Sequence, residues 1–140
     1  MKPTDKIHLL RLFAFIGIIA VAVGSRLYSG GLCSVWRNGT YTVYGTHDEE
    51  TVYDRIPMLG VRGAYERIDT RGGEQTALDM LEKSRATVAG VETVGKTKIY
   101  YAYSPYCGKG EQTVYGTVNV MIAVRGDSVA AGSPLLKGSY

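Results

Sequence analysis

Residues 113–125 read TVYGTVNVMIAVR, and this stretch decides the class of fold. Val114, Gly116, Val118, Val120, Ile122 and Val124 alternate with Tyr115, Thr117, Asn119, Met121 and Ala123. A period of two with β-branched residues on one side is a strand packed on a core through one face. Gly126-Asp127 follows as a short turn. Ser128–Leu136 (SVAAGSPLL) then reads as a last strand returning beside it. Upstream, Lys96–Ser104 (KTKIYYAYS) also alternates, with Ile99, Tyr101 and Tyr103 on one face and Tyr100 and Ala102 on the other. Pro105 ends that strand, and residues 107–111 (CGKGE) are turn chemistry. The three strands form an antiparallel meander.

Before the meander the period changes to that of a helix. Over residues 73–89, Ala77, Leu81, Ser84 and Val88 share one face, which Leu78 and Met80 widen. Glu82, Lys83 and Arg85 are left to solvent. Gly72-Gly73 marks the start and Gly90 the expected C-terminal cap. Earlier still, residues 35–46 read as a strand region broken at Asn38-Gly39, with Tyr41 and Val43 pointing one way and Thr42 and Tyr44 the other. Asp48 resembles a helix N-cap, followed by Glu49 and Glu50 and then by Val52, Ile56 and Leu59 at helical spacing up to Pro57 and just beyond. Residues 62–69 are a second early strand. The expectation is one α+β domain over residues 35–140, an antiparallel sheet with one or two helices on one face.

The front of the chain is different. Lys2, Lys6 and Arg11 precede Leu12–Gly24 (LFAFIGIIAVAVG), thirteen residues without a charge. A spanning helix needs about 20 apolar residues and the core of a signal peptide about 7 to 15. Residues 1–24 are therefore an export signal cleaved near Ala22 to Gly24, or an uncleaved anchor extended by Ser25–Leu32. Residues 25–34 are the linker to the domain. Either way the body lies outside the cytoplasm, secreted or held in the cell membrane by residues 12–24. Export removes Cys33 and Cys107 from reducing conditions. The alternatives for them are a disulfide, or Cys33 in a loose leader and Cys107 in a turn.

From Ser25 onward, thirteen Lys and Arg face twelve Asp and Glu, a net charge of +1. Arg62, Arg67 and Arg71 are separated by Glu66 and Asp69, so no basic run marks a nucleic-acid surface. No cofactor or metal is expected, since His47, Asp48 and Glu50 lack both the zinc and the calcium patterns. Asp48, Glu49, Glu50, Asp54, Glu66 and Asp69 offer carboxylates but no distinctive pairing. Cys107 and His47 are the one thiol–imidazole combination that a cell-wall hydrolase or transpeptidase would use. The surface feature with most binding potential is tyrosine. Tyr100, Tyr101, Tyr103, Tyr106 and Tyr115 fall on neighbouring strands and offer a broad amphipathic contact for a protein or cell-wall component.

The C-terminal two-thirds resembles the YwmB family. The likeness runs through the helix ALDMLEKSRATVAGVE, the strand IYYAYSPY and the strand TVNVMIAVRGD, where Asn119, Ala123 and Arg125 stand in an N-x-x-x-A-x-R arrangement. It ends in AGSPLLKGSY, with Gly132, Pro134, Leu135 and Tyr140 placed as in that family's ending. It covers residues 74–140 closely and 35–73 loosely. The resemblance implies a fold like the TATA-box-binding protein and an exported protein of spore-forming Gram-positive bacteria. It brings no activity with it, and fold likeness to a DNA-binding protein is not evidence of DNA binding. The functional expectation is a non-catalytic domain that binds a protein or cell-envelope component.

Overall fold

A computed structural model describes residues 2–28, 31–54 and 64–140. The fold is α+β. Seven strands form one antiparallel sheet in the order β2-β1-β3-β9-β8-β5-β4. The strands are β1 (Thr40–Tyr44), β2 (Glu50–Tyr53), β3 (Tyr65–Arg71), β4 (Thr87–Val94), β5 (Thr97–Tyr103), β8 (Val120–Arg125) and β9 (Ser128–Ser133). A small hairpin, β6 (Glu111–Thr113) with β7 (Gly116–Val118), stands apart. Among the described residues the helices are α1 (Pro3–Tyr28) and α2 (Glu74–Lys83), with a 3-10 turn at Leu32–Ser34.

The expected meander of β5, β8 and β9 is present, and β8 turns into β9 through Gly126-Asp127. Gly126 has φ 60°, the left-handed value that the first position of a tight hairpin turn of this kind requires. Alternation divides the sheet as read. Tyr41, Val43, Ile68, Tyr100, Ala102, Val120, Ile122, Val124, Val129 and Ala131 face α2 and the 3-10 turn and form the main core. Each fully buried aliphatic or aromatic side chain there contributes about 1.5–3 kcal/mol. Ile99, Met121, Ala123 and Ala130 face the other way and form a second cluster with Leu136.

Four expectations are corrected. The helix stops at Lys83 rather than running to residue 89. Arg85 takes φ 49°, while the Arg85 amide donates to Glu82 and the Ala86 amide to Leu81. This is a Schellman ending with arginine where glycine is usual. Thr87-Val88-Ala89 then joins Gly90 in β4, and Val88 is exposed rather than on the helix face. Leu78 is also exposed, while Ala77, Met80, Leu81 and Ser84 are buried as expected.

Residues 113–125 are not one strand. The chain reverses between Thr113 and Gly116, held by the Thr113 hydroxyl on the Gly116 carbonyl, and Val114 is fully exposed at the tip. The helix expected from Asp48 is replaced by β2. Asp48 has φ 60° in a turn, and Glu50–Tyr53 pairs with β1, placing Tyr53 opposite Tyr41. Cross-strand pairing of Thr51, Val52 and Tyr53 overrides the weak helical spacing. Ile56, Pro57 and Leu59 lie outside the described residues, as do Arg62 and Gly63 of the expected strand 62–69. Finally, the linker includes core. Leu32 and Cys33 are buried in the same cluster as Cys107, and the Gly31 amide donates to the Tyr106 carbonyl.

In α1, Leu10, Phe13, Phe15 and Ile18 are exposed. Among the described residues no helix is long and apolar enough to cross a membrane.

Candidate functional site

The α2 side of the sheet is filled by core. The opposite side is covered at one end only. The tail after β9 folds back over it, with Leu136 seated on Gly132, where a side-chain Cβ would come within 2.5 Å of the Leu136 backbone. Arg67 fixes the tail by donating from Nη1 to the Lys137 carbonyl at 2.7 Å. Lys137 also forms an ion pair with Asp48 and lies 4.2 Å from the Tyr65 ring centre. The β6–β7 hairpin covers the β5 side, where Tyr115 packs on Tyr101 with ring centres 4.9 Å apart.

The other end of this face is a hollow of about 660 Å³, within the usual range for ligand pockets. The strand registers explain it. One row across the sheet holds Arg71, Ser128, Arg125 and Thr97, because Arg71 and Arg125 both pair with Ser128 and Thr97 pairs with Arg125. The next row holds Thr40, Asp69, Ala130, Ala123 and Ile99. Directly opposed residues in an antiparallel ladder point to the same face. Large residues therefore form the rim, and the alanines in the second row leave a shallow apolar floor. Tyr140 of the tail lines the hollow as well.

Four charged side chains line it, Arg67, Asp69, Arg71 and Arg125. Arg67 and Asp69 are paired through two bonds, from Nε at 2.8 Å and Nη2 at 2.7 Å. Asp69 raises the pKa of Arg67 further and keeps it charged. The side chains of Arg71 and Arg125 have no hydrogen bond or ion pair to any described residue, so the lining side chains carry a formal charge of +2. The Arg67–Asp69 pair also borders a smaller polar recess of about 340 Å³, with Thr42, Tyr44 and Glu50.

The structure does not assemble the tyrosines into one surface. Strand alternation sends Tyr100 to the α2 side, where it is buried and its hydroxyl donates to Glu74 at 2.5 Å. Tyr101 is on the other face with its hydroxyl on Glu92 at 2.9 Å, and burial, then Glu92, push its pKa up to about 12. Tyr103 is half-exposed at the end of β5. Tyr106 lies beyond Pro105 in a turn, 6.0 Å from the Arg85 guanidinium. Only Tyr101 and Tyr115 of the five meet as a ring pair.

Cys33 and Cys107 are free thiols, both buried in the main core rather than in a leader and an open turn. Burial, and secondarily the Glu66 carboxylate, raise both, Cys107 to about 11. A thiol so placed stays protonated at neutral pH and is a poor nucleophile. His47 is in the exposed turn after β1. Glu66 itself is pushed up by burial, although Tyr41 and the Leu32 amide donate to it. Among the described residues no cluster of three or more His, Cys, Asp or Glu side chains is arranged to hold a metal ion.

The arginine pair was hidden by reading Arg67, Glu66, Asp69 and Arg71 along the chain. Alternation in β3 separates them, sending Glu66 to the core side and the other three to the open side. The motif residues also acquire distinct positions. Asn119 is fully buried, Ala123 is floor and Arg125 is rim. Comparison of the chain with models of protein families, with curated proteins and with solved structures finds no match.

Proposed function

We propose that this is a non-catalytic binding domain of the YwmB type, exported or tethered on the outer side of a cell membrane, which binds an envelope component through the uncovered face of its sheet. The observation that carries the binding reading is the hollow. It combines an apolar floor, hydroxyls of Thr40, Thr97 and Ser128, and two guanidinium groups without partners. Such a lining can hold and orient a ligand. It supplies no nucleophile beside a base, and the buried Cys107 thiol is held in its unreactive form.

The placement outside the cytoplasm is supported by the basic front and by Leu12–Gly24, whose length suits the apolar core of an export signal. The exposed apolar side chains of α1 are in keeping with a segment that meets lipid or a translocation machinery. The sequence resemblance points to the same compartment.

Two measurements test the reading. An alkaline phosphatase fused after Tyr140 folds to an active enzyme only when exported. Activity is expected, and an inactive fusion confined to the cytoplasm refutes the placement. For the face, Ala130→Trp fills the hollow, whereas Val91→Trp places the same ring on exposed edge strand β4. The first should abolish binding and the second leave it unchanged. Equal effects would refute the open face as the site.

A further inference from the structure

We infer that the hollow is a site for a small amphiphilic oxyanion, with a phosphoryl or carboxylate group held between Arg71 and Arg125 and an uncharged body lying over Ala123 and Ala130. This rests on the reading of the open face as the binding surface and adds the chemistry of what is bound.

The argument is one of register and charge. Arg71 and Arg125 are on β3 and β8, each directly opposite Ser128 of the strand between them. Two inter-strand steps separate their Cα atoms by about 10 Å. Two arginine side chains rooted at that distance on one face can close on a single group above Ser128, whose hydroxyl completes a ring of donors. Guanidinium groups suit this task because their fixed fork matches the oxygens of carboxylate and phosphate. Elsewhere on the face, the third arginine is neutralised by Asp69 and committed to the tail. The two that remain uncommitted flank the hollow. Among the side chains that line it, Asp69 is the one carboxylate, and Arg67 neutralises it.

The rest of the lining limits the ligand. Ala123 and Ala130 offer apolar surface rather than further cations, and Tyr140 can lie against the ligand's body. A long polyanion needs a row of positive charge, and two arginines at a shallow hollow are not one. The lining therefore selects one anionic head on a compact uncharged body.

The test uses the full chain in uncharged detergent and titrates phenyl phosphate, benzoate, inorganic phosphate and benzyl alcohol by calorimetry. Phenyl phosphate and benzoate differ in head group, inorganic phosphate lacks the body, and benzyl alcohol lacks the charge. At least one aromatic oxyanion should bind more tightly than both benzyl alcohol and inorganic phosphate, and added salt should weaken it. Arg71→Gln and Arg125→Gln should each weaken it about tenfold, and the double variant about a hundredfold. Lys96→Gln with Lys109→Gln, the same change of charge at exposed positions elsewhere, should leave affinity within about twofold. Both arginines are exposed and without partners, so the double variant should melt as the parent does.

The inference is overturned if the double variant keeps its affinity, if benzyl alcohol binds as well as the oxyanions, or if no aromatic oxyanion binds. These results separate the two readings. Benzyl alcohol binding that Ala130→Trp abolishes would keep the hollow as the site and discard the anion. No binding by any probe, with envelope association unaffected by Ala130→Trp, would discard the open-face reading too.

Discussion

Removing the Asn119 carboxamide should be among the most damaging single changes in the domain. Asn119 follows β7 and precedes β8, and its side chain is fully buried. Its Oδ1 accepts from the Ser104 amide at 2.6 Å, and its Nδ2 donates to the carbonyls of Ser104, Gly108 and Cys107 at 2.7, 2.9 and 3.2 Å. One side chain thereby ties the turn after β5 to the start of β8. In Asn119→Ala, the Gly108 carbonyl can turn to water. The buried Ser104 amide and the buried Cys107 carbonyl cannot, whereas the Ser104 carbonyl keeps the Cys107 amide as a donor at 3.3 Å. Each stranded group costs about 1–3 kcal/mol, so the loss should be about 3–5 kcal/mol. That is a large part of the roughly 5–15 kcal/mol by which a domain is stable. Ser133→Ala is the comparison. It removes the bond from the Ser133 hydroxyl to the Asn119 carbonyl at 2.7 Å, and should cost about 1 kcal/mol. Urea unfolding followed by circular dichroism gives both values. A loss for Asn119→Ala of about 1 kcal/mol or less, equal to that of Ser133→Ala, would refute the claim that this amide holds the turn.

Other expected outcomes follow from the buried and paired groups. Burial raises the pKa of Glu66 in the fold above its unfolded value, so its contribution to stability is full below the unfolded pKa and falls as pH rises through the folded one. Glu66→Gln keeps an acceptor for the Leu32 amide and lacks that loss, so its melting temperature should gain on the parent's as pH rises above about 4; a gap independent of pH would contradict this. Cys33 and Cys107 should react slowly with a thiol reagent in the folded protein and both react rapidly in urea without reductant; no reactive thiol in urea would show them bridged. Arg67→Ala removes the bonds to Asp69 and to the Lys137 carbonyl, so residues 134–140 should be cut faster in limited proteolysis, with a stability loss of about 1–2 kcal/mol.

What was legible in the sequence was what a half-buried strand or helix face writes into it. Val120, Ile122 and Val124 against Met121, Ala123 and Arg125 gave the two faces of β8, and Ile99 against Tyr100 gave those of β5. Ala77, Leu81 and Ser84 gave the buried side of α2. The errors lie where no residue marks a change of backbone. Arg85 adopts a left-handed conformation without being glycine, so nothing told the helix to stop before the valines of β4. Val114-Tyr115 forms a turn from residues that favour strands, so two strands and a turn read as one strand. The binding hollow was illegible for another reason. It depends on registers among β3, β8, β9 and β5, and opposite charges adjacent in sequence at Glu66 and Arg67 are separated by the full thickness of the sheet. The tyrosines misled in the same way, since Tyr100 and Tyr101 are neighbours in the chain and on opposite faces.

The central claim is that the open face binds its ligand in the hollow beside Arg71 and Arg125. It is tested most directly by mapping amide chemical-shift changes in nitrogen-15-labelled full chain as phenyl phosphate is added. The account predicts saturable changes centred on Ser128 and spreading to Thr70, Arg71, Arg125 and Thr97. Changes centred instead on Tyr103 and Tyr106, or no saturable change at Ser128, would contradict it.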